Sequence, residues 1–465
     1  MSRTIPEQDK VAPVITSART MALVLLLSIN LFNYIDRFVL AAVEPKIETQ
    51  FFGSNRSPAV QTLLRWNNSP EFWMGLLATA FMASYMVTAP FFGYLADRTG
   101  RWLIVGISVI LWSLATGCSG LAATAGGFTL LMITRLFVGV GEAGYGPAAP
   151  TLISDYYPVE RRGAVLAWFY MAIPVGASLG YVLGGMLAGR YGWPSAFYAV
   201  VVPGLILGAW SLFMKEPPRG MADHASSRKA GKQDYLALLR NRSYMLDCAG
   251  MTAMTFAIGG ISFWMPKYLT QIRNVDEGNL GSVTFKFGVI SAVGGLTATL
   301  LGGMLGDALR KRFASSYFLV SGISILIACP FLLLMLYLPF KPFPWAWIML
   351  FLAVFFLFFN TGPSNTILAN VTHPSVRGTA FAMNILLIHA LGDATSPPIL
   401  GRIGTYSWNA VFYVVIVVMA IAGIFWLWGA RYLKEDTDAA PNRLAGNAPG
   451  GFPVEVDKVR DVSNG

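Results

Sequence analysis

The sequence predicts an all-α membrane protein: twelve transmembrane helices in two pseudo-symmetric six-helix bundles. Three observations predict it: twelve apolar runs of spanning length, a shortage of charge, and a repeat relating the second six runs to the first. Of 465 residues, 55% are hydrophobic and only 12% charged, about half the charged share of an aqueous globular chain. Most of such a surface faces something other than water. Met1 to Thr20 are polar and the apolar run after them leads into further spans, so no cleavable signal peptide is expected. Cys118, Cys248 and Cys329 lie inside apolar stretches, at spacings that suit neither a zinc site nor a disulfide framework. They read as packing residues.

A spanning helix needs about 20 mostly apolar residues. Such runs lie at 20–44, 71–96, 102–124, 127–154, 162–189 and 193–214, then at 244–270, 283–307, 313–338, 343–370, 376–402 and 408–432. The expected organisation is a cytoplasmic N-terminal tail (1–19), a first bundle (20–214), a linker (215–243), a second bundle (244–432) and a disordered cytoplasmic tail (433–465). The linker is charged and carries Pro217, Pro218 and Gly220, which favour irregular backbone. The last tail is rich in Asp, Pro, Gly and Asn, too polar to bury a core.

Placement of the cations sets the orientation. Of the 34 Lys and Arg residues, 23 fall on the side of the tails and linker, 8 on the opposite side and 3 (Arg37, Arg135, Lys286) within spans. An excess of this kind marks the cytoplasmic face. The net charge of +10 is therefore a topology signal, and no nucleic-acid partner is expected.

Two motifs recur. Gly93-Tyr-Leu-Ala-Asp97-Arg98-Thr-Gly100-Arg101 closes the second span, and Gly303-Met-Leu-Gly-Asp307-Ala-Leu-Arg-Lys311 closes the eighth. Gly146-Pro147, Pro158 and Arg162-Gly163-Ala164 match Gly362-Pro363, Pro374 and Arg377-Gly378-Thr-Ala380 at nearly the same spacing. A duplicated helical unit is a plan of secondary transporters, with the binding site between the halves. Along the fifth span, Gly176, Gly180 and Gly184 recur every four residues and leave a flat stripe against which another helix can lie.

At these residues the chain resembles the major facilitator superfamily. Gly93 to Arg101 is similar to that superfamily's signature between helices two and three. The resemblance implies a conformational latch in which Asp and Arg residues pair with helix ends: Gly93, Asp97, Arg98 and Arg101, with Asp307 in the second half. Ala308 stands where Arg98 does, so the second latch is expected to be weaker. Within the superfamily the chain resembles the spinster lipid transporters, through Asn33-Tyr34-Ile35-Asp36-Arg37, Arg135-Leu-Phe-Val-Gly139-Val-Gly141-Glu142-Ala143 and His389-Ala-Leu-Gly392-Asp393-Ala-Thr-Ser396-Pro397.

Ionisable groups inside a span are costly unless paired or facing water, which makes them functional candidates. Asp36, Arg37, Arg135 and Glu142 are the clearest, read as a proton-coupling and substrate-binding set. If the first span ends near Glu44, Asp36 and Arg135 each lie eight residues below the outer boundary. At a rise of about 1.5 Å per residue they share a depth, and a pair across two helices is expected. Arg135 reads as the seat of the anionic head group, held by Asp36 while the site is empty, and Glu142, two turns away on the same face, as the proton carrier. Arg37 points about a quarter turn away from Asp36. A static salt bridge that only orders the first bundle is the alternative. Asn33, Tyr34, His389 and Asp393 are secondary cavity candidates, the last two sharing a face at i and i+4. Phe351 and Phe358 stand at the repeat positions of Arg135 and Glu142, which suggests an apolar wall opposite the charges. Lys286 and Asp247 are read as interfacial.

No nucleophile elbow, His-rich metal motif or phosphate-binding Gly-rich loop is present, so no catalytic residue, metal or cofactor is read and the chain is not taken for an enzyme. The expected function is proton-coupled transport of an anionic amphiphilic lipid, a lysophospholipid or sphingosine-phosphate-like molecule. The alternatives are a proton-coupled carrier of drugs or small organic anions and, more remotely, a membrane-embedded enzyme. The expected partners are substrate, protons and the bilayer. The chain is read as a monomeric, multi-pass integral membrane protein, of the inner or plasma membrane in a bacterial cell.

Overall fold

A computed structural model describes residues 7–54, 56–96, 98–157, 159–217, 238–372 and 377–439. Among these, eleven helices are long and apolar enough to cross a membrane. The first six are Arg19–Phe52, Pro70–Ala96, Arg101–Leu121, Gly127–Ile153, Trp168–Tyr191 and Pro194–Leu212. The next four are Arg242–Ile272, Leu280–Arg310, Ser316–Tyr337 and Trp345–Val371, and Trp408–Gly429 closes the set. Between the last two lies the expected eleventh span, divided into Arg377–Ile388, a wide π turn at His389–Asp393, and Ser396–Gly404. Ordinal numbers below count this divided span as the eleventh. The membrane face that carries the linker is called the linker side, and the opposite face the far side.

Proline placement accounts for the break. Pro397 and Pro398 have no N–H to continue an α-helical ladder; Pro398 so releases the Ala394 carbonyl, and neighbouring spans donate to it and to Pro397 O. Thr79 of the second span donates to the Ala394 carbonyl at 2.5 Å, and the Trp264 indole donates to Pro397 O at 3.0 Å. The tenth span is likewise interrupted, as Trp345–Phe358 and Thr361–Val371. Asn360 at that junction donates to Leu357 O at 2.6 Å.

Three stretches of helix differ from the expected boundaries. The first helix extends to Phe52, two turns beyond its expected end near Glu44, because the extra turns carry the charged residues that close the far side. A short helix, Pro58–Trp66, occupies what was read as a loop; Ser57 caps it, accepting from Val60 N–H at 3.4 Å, and Pro58 opens it. This follows the usual start signals. The tail read as disordered begins with the helix Leu433–Ala439, whose Asp436 accepts from Ser243 N–H at 2.9 Å. The rest of that tail, like most of the linker, lies outside the described residues.

The glycine stripe of the fifth span packs on the first. A Cβ at Gly176 would lie 2.6 Å from Tyr34 Cβ, and one at Gly180 would lie 2.7 Å from Ile35 O. The other face of the same helix meets the eighth span, where a Cβ at Gly288 would lie 2.9 Å from Ser178 O. The fifth span is thus held between the charged first span and the second bundle.

Among the described residues, hydrogen bonds and ion pairs between the bundles run from the cavity to the far side. Lys267 pairs with Glu48 and, at 3.5 Å, with Glu71. The hydroxyls of Ser69 and Thr405 are 2.5 Å apart, Gln271 donates to Pro45 O at 3.3 Å, and Tyr181 donates to Ser262 O. The described residues of the two halves therefore meet at the far side.

Gly180→Val should lower the melting temperature in detergent, by an amount in keeping with the about 1–3 kcal/mol cost of overpacking. Gly189→Val should leave it unchanged, since a Cβ there has no atom within 4 Å.

Candidate functional site

Between the bundles lies a cavity of about 520 Å³. The first, second, fourth and fifth spans form one wall, and the seventh and eleventh form the other. Its surface is largely apolar, with Phe38, Phe81, Phe169, Ile173, Ile258 and Phe263 around a small set of charges.

Arg37 is the centre of that set. Its Nε donates to Glu142 Oε2 at 2.6 Å. Its guanidinium lies 5.1 Å from the ring centroids of Tyr34 and Phe81 and 5.3 Å from that of Tyr85. Aromatic faces attract a cation, so three rings and a carboxylate fix the fork while one side stays open to the cavity. The Arg37 side chain is 17% exposed and that of Glu142 0%. Glu142 keeps its second oxygen, Oε1, without a hydrogen-bond partner.

The expected Asp36–Arg135 pair is not formed. Asp36 is buried and accepts from Thr116, while Arg135 donates from Nη2 to Ser119 Oγ at 3.0 Å. Thr116 and Ser119 are one turn apart on the third span, so Asp36 and Arg135 stay neighbours in charge without a direct contact. The shared depth holds, since both bond adjacent turns of one helix, but each side chain takes a hydroxyl of that helix in place of the direct contact. The quarter turn between Asp36 and Arg37 decides the rest: Asp36 faces the third span, and Arg37 faces the cavity and takes Glu142. Arg135 borders the cavity with its guanidinium 5.2 Å from the Phe197 ring, and its Nε has no partner.

Asn33, Tyr34, His389 and Asp393 all line the cavity. His389 Nδ1 lies 3.0 Å from Asp393 Oδ2, a pair that the i, i+4 spacing anticipates, on the wall opposite Glu142. Phe351 and Phe358 are not among the lining residues; they pack on Gly294 and Gly295 of the eighth span. The apolar wall of the second bundle comes instead from Ile258, Phe263, Ile385 and Pro397. Lys286 reaches Asp276 at 2.5 Å on the far side, as an interfacial residue does. Asp247 is not interfacial: it is fully buried and accepts from the Trp426 indole at 2.8 Å.

Of the latch residues, Asp97 lies outside the described residues. Arg98 stacks over Tyr94 at 3.8 Å. Arg101 opens the third helix rather than lying in a loop. It pairs with Asp155 near the end of the fourth span at 2.5 Å and with Glu216 at the start of the linker at 2.7 Å. Glu216 also accepts from Trp102 N–H at 3.2 Å, meeting the exposed donors of a helix N-terminus. Asp307 accepts from Tyr317 at 2.7 Å within its own bundle. Nothing lies within 4 Å of a Cβ at Gly303, and the nearest atom to one at Gly93 is Pro147 Cβ at 4.0 Å. Sequence reading missed Glu216, although its place just after the sixth span was a signal.

Two helical bundles that meet at one end and enclose ionisable groups at mid-span form the architecture of a secondary transporter. The Major Facilitator Superfamily profile matches residues 26–397. Protein spinster homolog 3 of Danio rerio is 31% identical over 480 residues, covering 97% of this chain and 93% of its own length. Protein spinster of Drosophila melanogaster is 36% identical over 382 residues, 81% of this chain and 60% of its own. The sphingosine-1-phosphate transporter SPNS2 of Danio rerio is 31% identical over 458 residues, 92% and 87%. Among solved structures, a bacterial homolog of the human lysosomal transporter spinster, inward-facing and unoccupied, superposes with a TM-score of 0.77. It is 22% identical, over 90% of this chain and 98% of that one. The chain belongs to the Major Facilitator Superfamily and, within it, to the spinster proteins. It is a membrane transporter, not an enzyme.

Arg101→Ala should destabilise the protein by about 3 kcal/mol, since removing one member of a buried ion pair strands the other. Arg101→Lys should not recover the loss, because two separate nitrogens serve two carboxylates. Thermal unfolding in detergent measures both.

Proposed function

We propose that the chain is a proton-coupled, alternating-access transporter of an anionic amphiphile, a lysophospholipid or sphingosine-phosphate-like lipid. The observation that carries this reading is the Arg37–Glu142 pair on the wall of a largely apolar cavity. A guanidinium forks onto phosphate oxygens and stays charged at any working pH. In the empty site Glu142 occupies Arg37. A proton on Glu142 releases the fork, and an anionic head group takes the vacated place. Proton and anion thus favour one another at adjacent atoms. The neighbouring Arg135 adds a second positive charge, with Asp36 behind it as counter-charge, and the apolar lining accepts the acyl chain. His389 and Asp393 offer a second proton-holding pair on the opposite bundle. The cation distribution supports cytoplasmic termini, so that the cavity, closed at the far side, opens toward the cytoplasm. Arg101 and its two carboxylates act on conformational balance, away from the substrate.

Uptake in proteoliposomes under an imposed pH gradient, with a panel of lysolipids, tests the proposal. Glu142→Gln should still bind substrate but lose its response to the gradient. Arg37→Ala should abolish transport, and Arg37→Lys should weaken it by tenfold or more. Arg135→Lys should weaken it as well. Normal gradient-driven uptake by Glu142→Gln would remove Glu142 as the proton carrier. Binding of small carboxylates with no binding of lysolipids would replace the lipid by an organic anion.

A further inference from the structure

The far-side closure holds a second cluster of ionisable groups, separate from the cavity. Lys267, buried at the end of the α-helical part of the seventh span, sends Nζ into the other bundle to Glu48 and Glu71. The rings of Trp264 and Trp408 lie 5.7 and 5.3 Å from the same nitrogen and help exclude water. One turn before Glu48, on the same face of the first helix, stands Glu44. It is 0% exposed, and neither carboxyl oxygen has a hydrogen-bond partner. The charged groups facing Glu44 are Lys267 from the seventh span, Glu48 from its own and Glu71 from the second. The same three carboxyls face Lys267. Lys46 turns away, donating to Ala188 O at 2.7 Å.

Three carboxyls therefore meet one ammonium; Glu44 and Lys267 are screened from water, while the Glu48 and Glu71 side chains are each 16% exposed. Glu48 and Glu71 share the ammonium. A third carboxylate with no donor is the costliest member, because an isolated buried carboxylate neutralises rather than stay charged.

We propose that Glu44 is a second proton-binding site, which takes up a proton as the far side closes and releases it to the far-side medium as that side opens. On opening, Lys267 departs with the second bundle, water reaches the first helix, and Glu44 ionises as an ordinary glutamate does. The closed form holds one proton more than the open form, so rising pH favours opening. By linkage, one proton changes the closed-to-open ratio up to about tenfold per pH unit. The far-side gate then senses the pH of its own compartment, whatever the cargo and whatever proton Glu142 carries. A plain Lys–Glu lock would exchange no proton and would ignore pH near neutrality.

The test uses the full chain without cargo, in lipid nanodiscs, on a Glu142→Gln parent so that the cavity proton is silent. Spin labels at Thr62→Cys and Tyr406→Cys, both exposed and on opposite bundles, report the far-side distance; Cys118→Ser removes the exposed native thiol. Between mildly acidic and mildly alkaline pH the long distance should grow with rising pH, the ratio changing severalfold to tenfold per unit. Glu44→Gln should flatten this dependence and hold the short distance. A check needing no change at Glu44 is infrared difference spectroscopy of the parent, in which the protonated-carboxyl band should fade together with the short distance. A pH-independent distance in the parent, or an unchanged pH dependence in Glu44→Gln, would overturn the proposal. So would a protonated-carboxyl band that stays constant while the distance changes.

Discussion

A charge buried in a protein surrounded by lipid must be matched by another charge or by hydrogen-bond donors, and the Arg37–Glu142 pair is where this constraint governs the molecule. Breaking such a pair from one side costs about 3–5 kcal/mol. Its partners therefore separate only when something replaces one of them. In the proposed function a proton on Glu142 does so from one side, and an anion at Arg37 from the other. The aromatic cage of Tyr34, Phe81 and Tyr85 keeps the guanidinium in place while its counter-charge changes. Asp36 and Arg135, tied to Thr116 and Ser119, stand behind as a fixed background field.

In the proposed function the surrounding helices convert that local exchange into access from one side. The fifth span lies flat against the first through Gly176 and Gly180 and against the eighth through Ser178 and Gly288. A shift of the helix carrying Arg37 is therefore felt at the boundary between the bundles. The interrupted eleventh span does a related task from the other half. Its wide turn carries His389 and Asp393 into the cavity, and its released Ala394 carbonyl takes the Thr79 hydroxyl at the closed end. Irregular backbone at membrane depth is tolerated where it lines a cavity or is satisfied by neighbours, and both conditions hold here.

Much of this was legible in the sequence. Span positions followed from apolar length, the paired halves from the Gly-Pro and Gly-Asp repeats, and the close packing of the fifth helix from its glycine spacing. His389 and Asp393 met as their i, i+4 spacing requires. Which arginine pairs with which carboxylate was not legible, because helical periodicity fixes a direction only to within a fraction of a turn. Polar residues such as Glu48 can continue a helix beyond the membrane, so the apolar run stopped short of the helix end at Phe52. The roles of Thr116 and Ser119 were hidden for a different reason: a hydroxyl inside a span most often bonds its own helix, and nothing in the pattern marks the one that reaches another.

The central claim is that proton binding at Glu142 and anion binding at Arg37 are one coupled event. Calorimetric titration of purified protein with a phosphate-bearing lysolipid, repeated in buffers of different ionisation enthalpy, counts the protons exchanged on binding. The account predicts uptake approaching one proton per lipid near neutral pH, falling to near zero in Glu142→Gln while binding persists. Lipid binding without proton uptake in the unaltered protein, or equal uptake in Glu142→Gln, would contradict it.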